Sequence, residues 1–494
     1  MSSAFSFSEW PPALSEDQLE ALTLYATTYA LAHGLLYLSP VKPQPPIPNS
    51  AIHAPLSVFP SPFPRRLFSL ARRLQSTYNI LYARIATDVE FLDKVMGSVE
   101  GVGKVDDFVG QLWTGWKALR DEGTAQPLHL GLFRSDYLLH AGAPGEPLSL
   151  KQVEFNTISS SFGTLSQRTA ALHRYLYAST AYYNVFPDMK PADFPPNDTT
   201  AGLVEGLAAA HAAYNFKEAK ILFVVQAGER NVFDQRLLEY ELLEKHSIHV
   251  IRQTFDELAL SASVDPATRA LSIGGTAQIS TVYFRAGYTP TDYPTAAHYA
   301  TRFLLERSAA IKCPSIALQL AGGKKVQQVL TQPGVLERFL GGAVPAAQIA
   351  ELRGSWMGMW GLDADQGVPR ARAGAAGLVL KPQREGGGNN VYKEAIPPFL
   401  DALPAPERQA WIAMELIVPP AGTGNYLVRA GSDAEKVDVV SELGIFGWAL
   451  FGGQHGGVQE KEVGWLVRTK GKDSNEGGVA TGFSVLDSLL LVDD

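Results

Sequence analysis

The stretch that decides the fold is Val379-Leu-Lys-Pro-Gln-Arg-Glu-Gly-Gly-Gly-Asn-Asn-Val-Tyr392, in which an apolar strand ends at Lys381 and runs into a charged, glycine-rich turn. Glycine lets backbone N–H groups approach a polyphosphate closely, and lysine supplies a compact cation for it. Glu385 is a candidate metal ligand, and Asn390 is a candidate contact for a phosphate or a metal. The alternative is an ordinary hairpin with the lysine on its surface, which the lysine, the acid and three consecutive glycines together make less favoured.

On either side of this stretch, short β-rich runs alternate with helical ones. The mixture predicts an α/β or α+β protein rather than an all-β protein or a helix bundle. The first 100 residues are predicted to be mainly helical, and the proline-rich segment from Pro40 to Pro64 is expected to hold no regular element. The predicted strands are Leu128–Leu132, Leu150–Phe155, Ile221–Val225, His249–Arg252, Thr281–Phe284, Gly377–Lys381, Trp411–Leu416 and Val437–Leu443. The predicted helices are Asp17–Leu36, Arg65–Ala83, Ser166–Tyr183, Gln235–Lys245, Ala296–Ala310 and Lys324–Val329.

Composition excludes several classes of protein. The 494 residues include 42 basic and 50 acidic side chains, a net charge of −8, which argues against a protein that grips the nucleic-acid backbone. A single cysteine, Cys313, excludes an internal disulfide framework and a cysteine-based zinc site. The sequence has no apolar run long enough for a membrane span, and its first residues lack the features of a secretory signal. We therefore expect a cytoplasmic globular enzyme.

A second candidate site is Gln152-Val-Glu-Phe-Asn-Thr157. Alternate residues of a strand share a face, so Glu154 and Asn156 are expected to point the same way while Val153 and Phe155 enter the core. Neighbouring carboxylate and amide oxygens suit Mg²⁺. The same pattern also describes a solvent-facing strand edge, and the hexapeptide alone does not decide between them.

Nucleotide binding here would not use a P-loop or a dinucleotide fingerprint, because neither glycine motif occurs in the chain. The run Met414-Glu-Leu-Ile417 instead offers an apolar wall and backbone groups, which an adenine slot requires. It is equally compatible with a buried strand that has no ligand.

Three arginines follow or end apolar runs: Arg134, Arg285 and Arg468. Arg468 and Lys470 are two residues apart, so one strand face would present two cations, and the glycine-rich loop after them would fold over their ligand. In an acidic protein, three strand-end arginines favour a small polyanionic substrate. Each arginine alone is more often a surface residue.

Five blocks of sequence resemble eukaryotic glutathione synthetase, in the same order along the chain. The blocks are Lys151-Gln-Val-Glu-Phe-Asn-Thr-Ile-Ser-Ser-Ser-Phe-Gly163, Glu229-Arg-Asn-Val-Phe-Asp-Gln235, Ala321-Gly-Gly-Lys-Lys-Val-Gln-Gln328, Leu380-Lys-Pro-Gln-Arg-Glu-Gly-Gly-Gly-Asn-Asn390 and Ser441-Glu-Leu-Gly-Ile-Phe-Gly447. The resemblance implies an ATP-grasp fold with N-terminal helices, an inserted α/β substrate domain and glycine-rich lid loops. It also implies a homodimer that joins γ-glutamylcysteine to glycine with ATP and two Mg²⁺ ions. On this basis we expect domains at 1–214, 215–322 and 323–494.

The resemblance also assigns residues. It implies that Glu154, Asn156 and Glu385 bind the metal, and that Arg134, Lys324, Lys381 and Arg468 carry the catalytic charges. The implied nucleotide-binding residues are Glu154, Lys324, Lys381, Gly386, Gly387, Gly388, Asn389, Asn390, Tyr392, Met414, Glu415, Ile417, Glu442, Lys470 and Glu476. The implied peptide and glycine contacts are Arg134, Ser159, Ser161, Glu229, Asn231, Gln235, Arg285, Tyr288, Arg468, Val479 and Ala480.

Two points of the resemblance bear on specificity. Glu476 stands where the family is expected to have aspartate, which would lengthen one contact. A related ligase with another amine acceptor, such as β-alanine or serine, is the alternative, and the loop at Val479 and Ala480 would distinguish it by the space beside the acceptor's α-carbon.

Overall fold

A computed structural model describes residues 5–39, 48–186, 189–453, 456–474, 477–479 and 482–493. Within them the helices are α1 (Glu16–Ala32), α2 (Arg65–Thr87), α3 (Val89–Met96), α4 (Asp107–Glu122), α5 (Gly163–Thr180), α6 (Thr199–Tyr214), α7 (Val232–His246), α8 (Phe255–Ser261), α9 (Ala296–Arg307), α10 (Ile316–Ala321), α11 (Lys324–Leu330), α12 (Val335–Leu340), α13 (Ala346–Gly354), α14 (Gly367–Ala373) and α15 (Ile396–Ala402). The predicted N-terminal helices and the mixed fold class are confirmed.

The strands of the described residues form one large sheet and three smaller ones. They are β1 (Leu36–Leu38), β2 (Ala51–His53), β3 (Leu56–Ser57), β4 (Ser61–Pro64), β5 (Leu128–His140), β6 (Ser149–Asn156), β7 (Lys220–Val224), β8 (Val250–Gln253), β9 (Ala262–Val264), β10 (Leu271–Ile273), β11 (Ala277–Phe284), β12 (Ile311–Cys313), β13 (Met359–Gly361), β14 (Leu378–Lys381), β15 (Val391–Tyr392), β16 (Ile412–Glu415), β17 (Gly424–Val428), β18 (Glu435–Gly452), β19 (Val458–Gly471), β20 (Ser484–Asp487) and β21 (Leu489–Val492). Each of the eight predicted strands corresponds to one of these.

Two kinds of strand pairing meet in the large sheet. Its strands β6, β5, β18, β19 and β20 pair antiparallel in that order. The strands β8, β7, β11 and β12 pair parallel, with α7 and α9 as crossover helices, and β12 joins them to β5. The parallel part therefore continues the same sheet.

A separate four-stranded antiparallel sheet, in the order β13-β16-β14-β15, has its own apolar core. Trp360, Leu380, Leu400 and Ala413 are buried in that core. The sheet carries the glycine-rich stretch, because the chain leaves β14 at Lys381 and returns antiparallel as β15.

The helix α2 packs across β18 and β19 and holds the large sheet from one face. Its Tyr78 and Tyr82 are buried and stack on Phe155 of β6, with ring centroids 5.4 and 3.9 Å apart. Phe155 therefore enters the core as predicted, and its neighbours Glu154 and Asn156 are anchored by that packing.

The prediction of a structureless segment between Pro40 and Pro64 is wrong for its second half. Residues 40–47 lie outside the described part of the chain, but β2, β3 and β4 follow. Pro62 and Pro64 fit into β4 because, within the described ranges, that strand pairs only with β21, so their missing N–H groups break no second ladder. Among the described helices, none is both long and apolar enough to cross a bilayer.

Candidate active site

The centre of the site is a lysine between two carboxylates. Lys324, at the start of α11, places Nζ 3.1 Å from Oε2 of Glu154 on β6 and 2.8 Å from Oε1 of Glu385 in the β14–β15 turn. The lysine side chain is only 5% exposed, and each carboxylate keeps about a quarter of its surface. Three segments far apart in sequence thus meet at one charged centre.

Lys381 lies beside this centre and is buried, so the interpretation as a surface hairpin lysine is wrong. Its Nζ donates to the carbonyl oxygen of Val153 at 2.9 Å. The β5–β6 register shifts at Val153, because Asp136 pairs with Glu154 and Tyr137 with Gln152. This bulge leaves Val153 half-buried rather than in the core, which corrects the expected alternation, and it turns a backbone acceptor toward the lysine.

Burial and charge act in opposite directions at these groups. Burial alone would raise the pKa of Glu154, but Lys324 and Lys381 outweigh it and lower that pKa from 4.5 to about 2. Burial lowers the pKa of Lys381 from 10.5 to about 8, against the opposing effect of Glu154. Burial also raises the pKa of Glu385, which shares Lys324 with its carboxylate neighbour. Glu385 is therefore the acid of the pair that takes up a proton more readily.

A buried carboxylate that the sequence did not single out, Asp136, connects several of the expected site residues. It accepts from Nε and Nη2 of Arg134 at 2.6 and 2.8 Å, from Nδ2 of Asn156 at 2.9 Å, and from Nη2 of Arg468 at 3.1 Å. Its side chain has no exposed surface. Gly444 of β18 pairs with Asp136 of β5. A Cβ at Gly444 would lie 2.8 Å from Cδ of Arg134 and 2.9 Å from Oδ1 of Asp136. Glycine is required there because the ion pair fills the space.

The expectation of three strand-end arginines is correct only for Arg285, which directly follows β11. Arg134 and Arg468 lie inside β5 and β19. These strands continue through charged residues because the charges are paired within the sheet, Arg134 with Asp136 and Arg468 also with the Glu442 carboxylate. Burial alone would lower the pKa of Arg468, but Glu442 and Asp136 raise it above its usual value.

The glycine-rich turn has the backbone conformation that its sequence predicts. Gly386, Gly387 and Gly388 have φ values of +92°, +75° and +76°, which side chains other than glycine rarely adopt. Asn389 donates to the Gly387 carbonyl at 2.8 Å, and Asn390 donates to the hydroxyl of Tyr392 at 3.2 Å. Three consecutive left-handed glycines therefore shape the turn that directly follows Glu385.

The candidate adenine strand, β16, is flanked by β13 and β14. Met414 is buried opposite Val379, while Glu415 is half-exposed and accepts from the Gly358 backbone N–H at 3.1 Å. Ile417, two residues after the end of the strand, is half-buried. Glu415 therefore holds the edge of the strand in place. The candidate apolar wall consists of Met414 and Ile417.

The residues expected to hold the peptide form a second polar cluster. Ser161 accepts from Nη2 of Arg285 through its hydroxyl, and from Nη1 of Arg134 through its carbonyl at 3.2 Å. Ser159 has a left-handed backbone, with φ +52°, and donates to the Phe284 carbonyl at 3.0 Å. Ser161 therefore connects this cluster to the Asp136 carboxylate through Arg134.

Around Glu229 the same cluster contains buried polar atoms without a hydrogen-bond partner among the described residues. They are both amide atoms of Asn231, Nε of Arg285 and Nη1 of Arg252. Tyr288 lines a small cavity together with Lys324 and Glu385, so the cluster adjoins the carboxylate–lysine centre. Unsatisfied buried donors and acceptors in one place indicate that a polar ligand completes them.

The remaining expected residues lie near the end of the chain. Val479 is buried, and Lys470 lies on β19 on the same face as Arg468. Glu476 and Ala480 lie outside the described residues.

The donor set fits Mg²⁺. Glu154 and Glu385 approach a common lysine nitrogen, and Asn156 uses its Nδ2 on Asp136 and on the Arg134 carbonyl, so its amide oxygen is left for another ligand. Two carboxylates and an amide oxygen are hard ligands of the kind magnesium takes. Among the described residues, no group of three or more His, Cys, Asp or Glu side chains is arranged so that it could hold a metal ion.

Sequence reasoning missed Asp136 and Arg252. Asp136 lies two residues after Arg134, and a carboxylate inside an apolar strand is the available signal. Arg252 ends a predicted strand and carried no signal of its own, because its partners lie on α7.

The chain is similar to known proteins over almost all of its length. The family model described as "Eukaryotic glutathione synthase, ATP binding domain" matches residues 16–491. The chain is 41% identical to the glutathione synthetase of Mus musculus over 479 residues, covering 96% of this chain and 97% of that protein. It is 41% identical to the glutathione synthetase of Homo sapiens over 486 residues, covering 97% and 98%.

A solved structure is similar as well. A glutathione synthetase-like effector from Globodera pallida, in its apo form, superposes with a TM-score of 0.76 at 25% identity, covering 97% of this chain and 98% of that one. The fold is thus an ATP-grasp architecture, and the chain is an ATP-dependent ligase. The chain belongs to the eukaryotic glutathione synthase family.

Proposed function

We propose that this site joins γ-glutamylcysteine to glycine at the expense of ATP, forming glutathione, ADP and phosphate, with the residues in the roles given below. The observation that carries the assignment is the position of Lys324 between Glu154 and Glu385, next to the unsatisfied polar cluster around Glu229. Family membership supports the same activity.

The reaction requires activation of a carboxyl group, because a carboxylate does not react with an amine at neutral pH. A carboxylate oxygen of the cysteinyl residue attacks the γ-phosphorus of ATP, ADP leaves, and an acyl phosphate forms. The amine of glycine then attacks the acyl carbon, phosphate leaves, and the amine loses a proton. Aligning the reactants and neutralising the phosphoryl charge account for most of the catalysis in such a transfer.

The two buried lysines neutralise that charge. Lys381 has its ammonium held by the Val153 carbonyl, and Lys324 has its own held by two carboxylates, so neither needs to reorganise as the phosphoryl group moves. Magnesium held by Glu154, Asn156 and Glu385 would supply further positive charge at the phosphates. We propose two such ions, as the resemblance implies.

The arginines are assigned to the acyl phosphate and to the carboxylate of glycine. Arg468 is held by Asp136 and Glu442, and Arg134 has two of its nitrogens on Asp136. Both guanidinium groups are therefore fixed in place before substrate arrives, which lowers the cost of orienting the substrate.

ATP is assigned to the region between the small sheet and the end of β19. Met414 and Ile417 would contact the base, and Glu415 would fix the strand edge. The sugar and phosphates would be contacted by Asn389, Asn390, Tyr392, Glu442, Lys470 and Glu476. The N–H groups of Gly386, Gly387 and Gly388 would also contact the phosphates. The acyl phosphate hydrolyses in water, so we propose that this turn and the loop at 471–482 close over the reactants. Val479 and Ala480 would then contact glycine.

Three further proposals concern organisation. The chain is divided into parts at 1–214, 215–322 and 323–494, and the enzyme is cytoplasmic. We also propose a homodimer, which is supported by exposed apolar side chains on two helices that both pack on α5: Leu24 and Leu31 of α1, and Tyr240 and Leu243 of α7.

The acceptor is tested by a substrate panel at saturating γ-glutamylcysteine and ATP. Glycine is expected to give the highest kcat/KM, with β-alanine and serine well below it. The related ligases with β-alanine or serine as acceptor are not favoured, since the curated relatives are glutathione synthetases. A higher kcat/KM for either alternative amine would overturn the assignment of glycine.

A further inference from the structure

Arg252 lies at the outer edge of the peptide cluster, on the parallel strand β8. Its Nη2 donates to Oε1 of Gln235 on α7 at 2.7 Å, and its side chain is 12% exposed. A second nitrogen, Nη1, is buried without a hydrogen-bond partner among the described residues and lies 3.9 Å from Oε2 of Glu239. A guanidinium so nearly buried is seldom left with an unused donor unless the site needs the charge.

The contact determines which way the amide of Gln235 points. Arginine can only donate, and a carboxylate can only accept, so an amide between them has a single satisfactory orientation. With its oxygen on Arg252, Gln235 turns Nε2 to Oε2 of Glu229 at 3.0 Å. The other oxygen of Glu229 accepts from the Asn231 backbone N–H at 2.9 Å. Hydrogen bonds to both oxygens thereby fix the orientation of the Glu229 carboxylate.

Charge in this part of the molecule favours a zwitterion. Glu229 offers a fixed carboxylate to an ammonium, while Arg285, with Nε unsatisfied, offers positive charge next to it. Burial lowers the pKa of Arg252 to about 10, and Arg236 adds to that effect, whereas Glu239 and Glu229 oppose it. A substrate end that carries both an α-ammonium and an α-carboxylate would satisfy both signs at once.

We propose that Arg252 is a positioning residue that, through Gln235 and Glu229, makes the peptide site selective for a γ-glutamyl group with its free α-ammonium. This inference rests on the proposed function, which assigns the cluster to the peptide. Arg252 acts through the amide orientation and the fixed carboxylate, and it takes no part in phosphoryl transfer.

The test compares Arg252→Met, Arg252→Lys and the control Lys245→Met with the unaltered enzyme. Lys245 is an exposed residue on the same helix as Gln235. Each protein is assayed with γ-glutamylcysteine and with glutarylcysteine, which lacks only the α-ammonium. Binding of each dipeptide without ATP is measured by calorimetry, and folding by thermal unfolding.

Arg252→Met is expected to raise KM and Kd for γ-glutamylcysteine about tenfold or more, as loss of an outer contact to a ligand-binding group does. The Kd for glutarylcysteine, kcat, and KM for ATP and glycine should not change, so discrimination between the peptides is lost. Arg252→Lys should recover part of the discrimination between the two peptides, and the control should behave like the unaltered enzyme. Unchanged discrimination in a folded Arg252→Met, or an equal rise of every KM, would overturn the proposal. Failure of the proposed function would look different, because the unaltered enzyme would then not use γ-glutamylcysteine.

Discussion

Nζ of Lys324 lies 2.8 Å from Oε1 of Glu385, which ties the first residue of α11 to the glycine-rich turn of the small sheet. The same nitrogen reaches Glu154 on the large sheet at 3.1 Å. One lysine thus joins two sheets and occupies the position between the two carboxylates assigned to the metal. A cation and a polyphosphate bound at this point would both interact with these charged side chains. The contribution of each side chain can be tested by replacing it separately.

Replacement of Lys381 by methionine should abolish product formation while the protein stays folded. Because burial lowers the pKa of this lysine to about 8, its charge is held at a cost in the folded state, and removing it should leave the melting temperature unchanged or higher. Product formation and thermal unfolding measure the two effects. The control is Lys104→Met, at an exposed lysine. Normal turnover by Lys381→Met would remove the residue from its role.

The pH dependence of nucleotide binding should reflect the same lysine. The protonated form is the cation that binds phosphate, and its pKa in the free protein is about 8, so affinity for ATP should fall as the pH rises through that value. In Lys381→Arg the charge persists, and the fall should disappear from this range. Titration of Kd for ATP from neutral to alkaline pH checks this. An identical alkaline fall in both proteins would assign it to another group.

Glu385→Gln should raise the Mg²⁺ concentration needed for activity, because an amide is a weaker ligand than a carboxylate. The expected rise is about tenfold or more. Binding of Mn²⁺, followed by electron paramagnetic resonance in the absence of substrates, should weaken in parallel. Glu394→Gln, at an exposed position shortly after the same turn, is the matched control. Unchanged metal titrations in Glu385→Gln would contradict the metal assignment.

Asp136→Asn should destabilise the protein strongly, since it leaves Arg134 and Arg468 without the carboxylate that both contact. Breaking a buried ion pair from one side costs about 3–5 kcal/mol. Asp121→Asn removes a carboxylate of a surface pair with Lys117 and should cost no more than about 1 kcal/mol. Urea unfolding of both variants gives the comparison, and equal midpoints would show that Asp136 does not hold the arginines.

What the sequence could predict was local. Glu154 and Asn156 share a strand face, and Lys381 precedes a glycine turn, because these relations depend on neighbouring residues. The bulge at Val153 depends on the register with β5, and the contact of Asp136 with Arg468 joins residues far apart in the chain, so neither has a short-range signal. Arg134 was placed at a strand end for the same reason, since only the paired charges across the sheet allow β5 to continue.

The central claim is that ATP activates the cysteinyl carboxylate as an acyl phosphate. The direct measurement uses γ-glutamylcysteine labelled with ¹⁸O in that carboxylate, with ATP and glycine, and follows the label by mass spectrometry of the released phosphate. The account predicts one ¹⁸O atom transferred to phosphate for each glutathione formed. Phosphate that carries no label while glutathione accumulates would contradict it.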